Sequence, residues 1–339
     1  MIHIANFPLW GFTFSDLFAG MGGFRVAFES LGAKCVFSCE NNTFAKETYW
    51  INFKELTYDD IYTIPMDIVP DHDIMCAGFP PETISLSALG RNINEIRDSL
   101  FFATIRYVQA KRPKVVFLDN LYTLYSSNCG NTHKVIKNTF EKIGYVFYSK
   151  LLNSMDYGLP LNRLRVYMIA IRKDVNIREF EFPKPIPLTS YLEDYLLPDS
   201  ETEHLVYKGD GIRFIRPEPE SYVKELYKIA EYSSGRMIDG RAGEKIFSPK
   251  GLASTIGISK AKPFTYTDAY LINGKIRTLH PRECARILGY PDSFKLNPDT
   301  KQAYIQLANS VVVDIAKLIG NEVAKALDLS FERKIPDNH

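Results

Sequence analysis

The apolar positions of the first 190 residues change period several times. Short, nearly continuous apolar runs stand at "FTFSDLF" (Phe12–Phe18), "KCVFSCE" (Lys34–Glu40), "DIMCAG" (Asp73–Gly78), "KVVFLD" (Lys114–Asp119) and "RVYMIAIR" (Arg165–Arg172). Runs of that length, bounded by Gly, Pro and charged residues, predict strands buried on both faces. Between them, "GFRVAFESLG", closed by Gly32, and "SLFFATIRYVQAK" (Ser99–Lys111) predict helices. The alternation predicts an α/β fold with a mainly parallel sheet covered on both faces. From Leu192 to Lys275 the pattern shifts to charged residues, glycines and short alternating runs, which predicts a second, smaller domain rich in strands and loops. The stretch "VVVDIAKLIGNEVAKAL" (Val311–Leu327) predicts an amphipathic helix packing back on the first domain.

Composition adds three boundaries. A chain of 339 residues with 45% hydrophobic content exceeds one comfortable core, in keeping with one large and one small domain. The net charge of +1 argues against a generally basic coat and permits a local basic face. The five cysteines, Cys35, Cys39, Cys76, Cys129 and Cys284, lack paired metal-ligand spacing, so no metal site is expected and they read as reduced thiols of a cytoplasmic protein. The opening "MIHIANFPLW" has neither a basic segment nor a long apolar one, and no run is expected to span a membrane.

Two stretches carry chemistry. "DLFAGMGG" (Asp16–Gly23) sits between a predicted strand and helix, where closely spaced glycines let backbone approach a ligand. Glu40 follows about 20 residues on, the spacing at which a carboxylate meets ribose hydroxyls. The same pattern also suits a tight strand-to-helix turn with a solvated Glu. The second stretch, "CAGFPPETIS" (Cys76–Ser85), runs a buried strand into a sharp turn, where α/β enzymes present catalytic side chains. It presents Pro81, which offers neither nucleophile nor acid.

Motifs across nearly the whole chain settle the family. "FSDLFAGMGGFRVAFESLGA", "DHDIMCAGFP", "KRPKVVFLDN", "NSMDYGLPLNRLRVYMI", "LLPDSETEHLV", "LINGKIRTLHPRECARILGYPDSF" and "QAYIQLANSVVV" stand in the order of the DNA cytosine-5 methyltransferases, which this chain resembles, most closely the small bacterial HhaI type. The resemblance implies a Rossmann-like domain for S-adenosyl-L-methionine or S-adenosyl-L-homocysteine, a target-recognition domain, and a cleft between them for double-stranded DNA with one base flipped out. On this sequence the parts would be 1–191 with 309–339, then 192–280, with 281–308 as the hinge. A restriction-modification setting is implied, with an active methyltransferase or restriction enzyme as a further partner.

The resemblance carries onto individual residues. Phe18, Gly20, Gly22, Gly23, Glu40, Asp60, Ile61, Pro80, Leu100 and Asn309 match the family's cofactor pattern. Asn41 replaces the aromatic that stacks on adenine there, which implies weakened binding. In the family, a Cys thiolate after Gly-Phe-Pro attacks carbon 6 of cytosine so that carbon 5 can accept a methyl group; that position is Pro81. Cys76 lies roughly 16 Å back along extended strand and cannot replace it. Glu82 stands for Gln, Ile84 for an aromatic, Asp119 for the catalytic Glu, Leu161 for Gln and Ala308 for the hinge Gly. Arg163 and Arg165 are retained, and their alternation places both on one face beside the loop, as base and phosphate contacts. In the second domain, Arg236, Arg241, Lys245, Lys250 and Lys260, interleaved with Gly, suit contacts to guanine edges or phosphates. Two functions follow: a methyltransferase-derived pseudoenzyme that holds DNA and cofactor, or an active enzyme with altered chemistry on a flipped base.

Overall fold

The computed structural model describes residues 7–79, 99–126, 131–232, 245–257 and 264–327. Strand β1 (Thr13–Leu17) leads into helix α1 (Gly23–Ser30), β2 (Lys34–Cys39), α2 (Thr43–Phe53) and β3 (Ile74–Ala77). Then come α3 (Leu100–Lys111), β4 (Val115–Leu121), α4 (Asn131–Lys142), β5 (Tyr145–Asn153) and β6 (Leu164–Arg172). These strands form one sheet in the order β2-β1-β3-β4-β6-β5. The α1 boundary follows its glycines. Gly32, at φ 90°, sits just past the helix, and Gly32 and Ala33 donate their N–H groups to the carbonyls of Glu29 and Phe28, the Schellman closure that a left-handed residue makes possible. Ser99 caps α3 by accepting from the Phe102 N–H.

The sheet is mainly parallel, as the sequence predicts, and the sixth strand is the exception. β2, β1, β3 and β4 are parallel, but β6 runs antiparallel to both β4 and β5. Only residues 154–163 join β5 to β6, with no helix long enough to cross a sheet face, so the chain returns antiparallel. Alternate residues divide the core in two. Phe14, Ile74, Cys76, Val115, Phe117, Tyr167 and Ile169 belong to one apolar cluster with α1 and the C-terminal helix. Met75, Ala77, Val116, Leu118, Val166 and Met168 face the other, with α3 and α4.

A second sheet joins β7 (Ile212–Phe214), β8 (Lys228–Tyr232), β9 (Lys245–Phe247), β10 (Ala269–Ile272) and β11 (Lys275–Thr278) in the order β11-β10-β9-β8-β7. It falls in the strand-rich stretch the sequence marked out. The two sheets share apolar contacts, because Phe247, Ala253, Tyr270 and Ile272 belong to the same buried cluster as α1 and Tyr167. Helices α5 (Pro281–Ile287), α6 (Thr300–Asn309) and α7 (Val313–Ala326) complete the fold. Tyr304 of α6 stacks on Tyr266, ring centroids 4.7 Å apart and 8° from parallel, which ties α6 to the segment leading into β10. The span Thr300–Ala326 is apolar enough to cross a membrane by length and composition, contrary to the expectation that no run reaches that limit. It is nonetheless two helices interrupted at residues 310–312, and 67% of its most apolar window is buried in the fold.

Candidate functional site

A cleft of about 580 Å³ opens at the carboxyl ends of β1, β2, β3 and β4, the usual ligand position of an open α/β sheet. Its floor is the turn between β1 and α1. Phe18 lines the cleft with φ 55°, a left-handed conformation that a residue bearing a Cβ adopts at a cost of roughly 1–2 kcal/mol. Gly20 also has positive φ, and a Cβ there would meet no atom within 4 Å, so the backbone stands open to a ligand. Gly22 is required for the opposite reason: at φ 91° its Cβ would lie 2.3 Å from the Phe53 ring.

Glu40 closes this turn from the side. One carboxylate oxygen accepts the Gly20 N–H at 2.7 Å and the other accepts the Asn42 N–H at 2.7 Å. The residue read as a ribose partner therefore also fixes the glycine turn, and each oxygen keeps a further lone pair for a ligand. Asn41 lies exposed in the wall, and Asn42 caps α2 by accepting from the Ala45 N–H. Leu100, at the start of α3, and Asn309, at the end of α6, complete the wall. Asp60 and Ile61 are not among the residues that line it. Asp60 accepts from the Tyr62 N–H, and the Ile61 side chain is buried in the core beneath α3.

The far side of the cleft is built by β4 and β6. Asp119 is buried there with Oδ1 unpartnered among the described residues. Burial holds its carboxyl above the usual carboxylate range, opposed by the charges of Arg165 and Arg163. Arg165 lines the cleft with neither a hydrogen bond nor an ion pair among the described residues. Asn120, which the sequence reading did not single out, donates to the Phe79 carbonyl at 2.9 Å and so anchors the start of the Gly-Phe-Pro turn. The signal was present in "FLDN", where an amide follows the acid at a strand end.

Arg163 is placed differently from the sequence reading. It is buried, and its Nη2 donates to the carbonyls of Ala308 and Ser310 at 2.7 and 2.8 Å, stitching the start of β6 to the end of α6. It does not line the cleft. Burial, with Arg165 adding to it, lowers the Arg163 pKa to about 9. Ala308 lies near the end of α6. It occupies ordinary helical backbone with negative φ, where a methyl group is accommodated. Leu161 is likewise no gap in a polar cluster: it is fully buried and bridges Ala253, with the Ala253 N–H donating to Pro160 and the Asn162 N–H to Ala253.

Cys76 is wholly buried in β3, and desolvation pushes its thiol well above the ordinary range, in accord with a core role. Gln306 of α6 is a second residue the sequence reading missed. It is 7% exposed and contributes to the cleft wall, and neither amide atom has a hydrogen-bond partner among the described residues. No local motif flags it, because its position depends on how α6 packs.

In the second sheet, Lys245 lies on β9 without an ion pair among the described residues. Lys250 is turned inward, its amine donating to the Pro219 carbonyl at 3.3 Å, so it is held within its own sheet region rather than presented outward. Pro80, Pro81, Glu82, Ile84, Arg236, Arg241 and Lys260 lie outside the described residues.

Chemically, the arrangement offers an open backbone turn with an acidic clamp at one end and a buried acid near a guanidinium at the other. A sequence profile of the C-5 cytosine-specific DNA methylases matches residues 12–325. The type II methyltransferase M.HhaI of Haemophilus parahaemolyticus is 44% identical over 97% of this chain and 99% of its own length. The type II methyltransferase M.HaeII of Haemophilus aegyptius is 34% identical over 94% of each. Among solved structures, the S. pombe Dnmt2 methyltransferase superposes with a TM-score of 0.67 at 15% identity, covering 91% of this chain and 97% of its own.

Proposed function

Because the chain belongs to the C-5 cytosine-specific DNA methylase family, we propose that it holds S-adenosylmethionine and duplex DNA without methylating cytosine by the cysteine route. The observation that carries this is Pro81, at the position that follows Gly78, Phe79 and Pro80 where the family places its nucleophile. Proline has no thiolate to add to carbon 6, and Cys76, the thiol nearest in sequence, is sealed in the core.

The cleft suits the cofactor on its own geometry. Phe18 and Leu100 offer apolar surface, Gly20 leaves backbone uncovered, and Glu40 keeps lone pairs for hydroxyls. When bound, the cofactor supplies a methyl group activated on a sulfonium. Asn41 provides no stacking ring, so affinity falls below that of relatives with an aromatic there. Asp119 and Arg165 face the base, Lys245 and Arg241 meet DNA from the second sheet, and residues 281–308 hinge residues 192–280 against the cofactor-binding part. The similarity to type II methyltransferases supports descent from a modification enzyme, with an active methyltransferase or a restriction enzyme as the partner it would serve in the cytoplasm.

A second reading is favoured by one observation. Buried Asp119, its pKa raised by burial, stands with Arg165 in the cleft and supports machinery for holding a base, which altered chemistry on a flipped base would use. Transfer of tritium from labelled cofactor to mixed-sequence DNA separates the two readings. The pseudoenzyme reading expects cofactor binding by calorimetry with no transferred label; transfer by the unmodified chain alone would overturn it.

A further inference from the structure

Helix α6 borders the cleft with an amide on each successive turn of one face. Gln302, Gln306 and Asn309, at i, i+4 and i+7, share that face, and all three line the cleft. The helix is fixed at both ends. Ahead of it, the Asn297 amide donates to the Phe44 carbonyl at 3.2 Å and to the Thr48 hydroxyl at 3.1 Å, both on α2. Behind it, Ser310 lies against the start of α1, where a Cβ on Gly23 would stand 2.9 Å from the Ser310 hydroxyl oxygen. Gln306 is one helical turn ahead of that contact.

Burial sets Gln306 apart from the other two amides. Gln302 is half-buried and Asn309 is exposed, so water reaches them. Gln306 is 7% exposed, and its amide oxygen and nitrogen both lack a partner among the described residues. Leaving a buried amide unpaired on both atoms is costly, and a group kept at that cost calls for a partner from outside the chain. The amide is screened from solvent here, and the terminal torsion of glutamine is soft enough to turn it toward the cleft it borders.

The amide itself limits what it takes. Its oxygen accepts and its nitrogen donates, so full pairing needs a ligand group that offers a donor and an acceptor side by side. Ribose hydroxyls do not meet that need, because their protons go to Glu40, whose free lone pairs lie beside Gly20. An α-amino acid does: its ammonium donates to Oε1 and its carboxylate accepts from Nε2. With adenosine beside Glu40 and Asn41, the Gly23 end of the turn, next to α6, is left to the chain on the 5′ carbon.

We propose that Gln306 is the specificity residue for the amino-acid end of the cofactor, pairing its amide with the α-ammonium and α-carboxylate. The proposal rests on the reading that the cleft takes S-adenosylmethionine, and it names the residue that separates that ligand from adenosine derivatives without an amino acid.

The test uses the full chain and calorimetry with two ligands, S-adenosylhomocysteine and 5′-methylthioadenosine, which carries a methyl group in place of the amino-acid chain. Gln306→Met, unbranched and close in length, removes both polar atoms. It is expected to weaken S-adenosylhomocysteine by about tenfold or more, the usual worth of hydrogen bonds to charged groups, and to leave methylthioadenosine unchanged. It is also expected to raise the melting temperature of the free chain by about a degree or more, because an unpaired buried amide is gone. A glutamine with a merely structural role would not give a more stable chain with a weaker ligand. Should the methionine variant misfold, Gln306→Asn decides, since an amide drawn back by one methylene is expected to weaken S-adenosylhomocysteine alone. Unchanged binding of S-adenosylhomocysteine by the folded variant, or equal weakening of both ligands, overturns the role of Gln306 and leaves the cofactor reading standing. Failure of the parent chain to bind either ligand overturns both together.

Discussion

The two ends of the cleft have diverged to different degrees. At the cofactor end, the glycine turn, the Glu40 clamp and Asn309 are in place, and the one departure, Asn41, lies exposed in the wall. At the base end, Pro81, Glu82 and Asp119 all depart from the family pattern, although Arg165 and the Asn120 anchor persist. Binding sites tolerate the loss of one contact among many, since each contributes a modest part of the affinity. A covalent route tolerates nothing at its nucleophile, because the groups act as a unit. That contrast is what supports the proposed reading of a cleft that holds its ligands without the cysteine route.

The strongest way to break that comparison is to restore the base end. Pro81→Cys alone is expected to give at most feeble methylation, because the Glu82 carboxylate beside a new thiol raises its pKa and Asp119 falls one methylene short of the ring. Adding Glu82→Gln and Asp119→Glu is expected to increase the rate over the single variant by about 10²-fold or more, read as tritium incorporated per enzyme. Leu161→Gln does not belong in this set. Leu161 is fully buried between the two sheets, so an amide there would lack partners and cost about 1–3 kcal/mol of stability. If Pro81→Cys alone were fully active, the base end would be intact but for one residue.

That exclusion shows where sequence reading stops. β1 to β4, the Schellman end of α1 and the glycine turn were legible because local chemistry dictates them: apolar runs, a left-handed Gly, a Ser cap. β5 was not, because it is an edge strand whose burial is mixed along its length, and its apolar residues do not form a clean run. The direction of β6 depends on the connection before it, and the tasks of Arg163 and Leu161 depend on α6 and on the second sheet arriving from more than 90 residues away. Their alternation along the chain told which side they face, but not what waits there. Asp60 and Ile61 matched a motif, and the structure adds what the motif does not tell: Asp60 accepts from the Tyr62 N–H and Ile61 is buried beneath α3.

A middle-sized effect is expected from the second sheet. If Lys245 and Arg241 both meet phosphate, neutralising the pair to Gln flattens the slope of log affinity against log salt by about 2. Gel-shift titrations between 50 and 200 mM salt, on the order of the range in which such slopes are measured, would show it. An unchanged slope would remove the second sheet from the DNA contact and leave Arg165 in the cleft as the candidate. Lys250→Gln serves as the internal control, because its amine already donates to the Pro219 carbonyl and is expected to leave the slope unaltered.

The smallest effect tests the cofactor end. Asn41 is exposed and follows Glu40 in the cleft wall, so a larger side chain can be placed there without displacing core packing. Asn41→Trp supplies a ring against which adenine can stack, worth about 0.5–1.5 kcal/mol beyond the area it buries, or roughly two- to tenfold in affinity. Calorimetry with S-adenosylhomocysteine reads this directly, and the demethylated product removes any contribution from turnover. The gain is expected with adenosyl ligands and absent with free methionine, which has no ring to stack. A parent chain that gives neither heat nor a thermal shift at about millimolar cofactor, a concentration at which even a weak site of about 4 kcal/mol would fill substantially, would show that the glycine turn and Glu40 persist as architecture alone. The contrast between the two ends of the cleft would then disappear, with the cofactor end as changed as the base end.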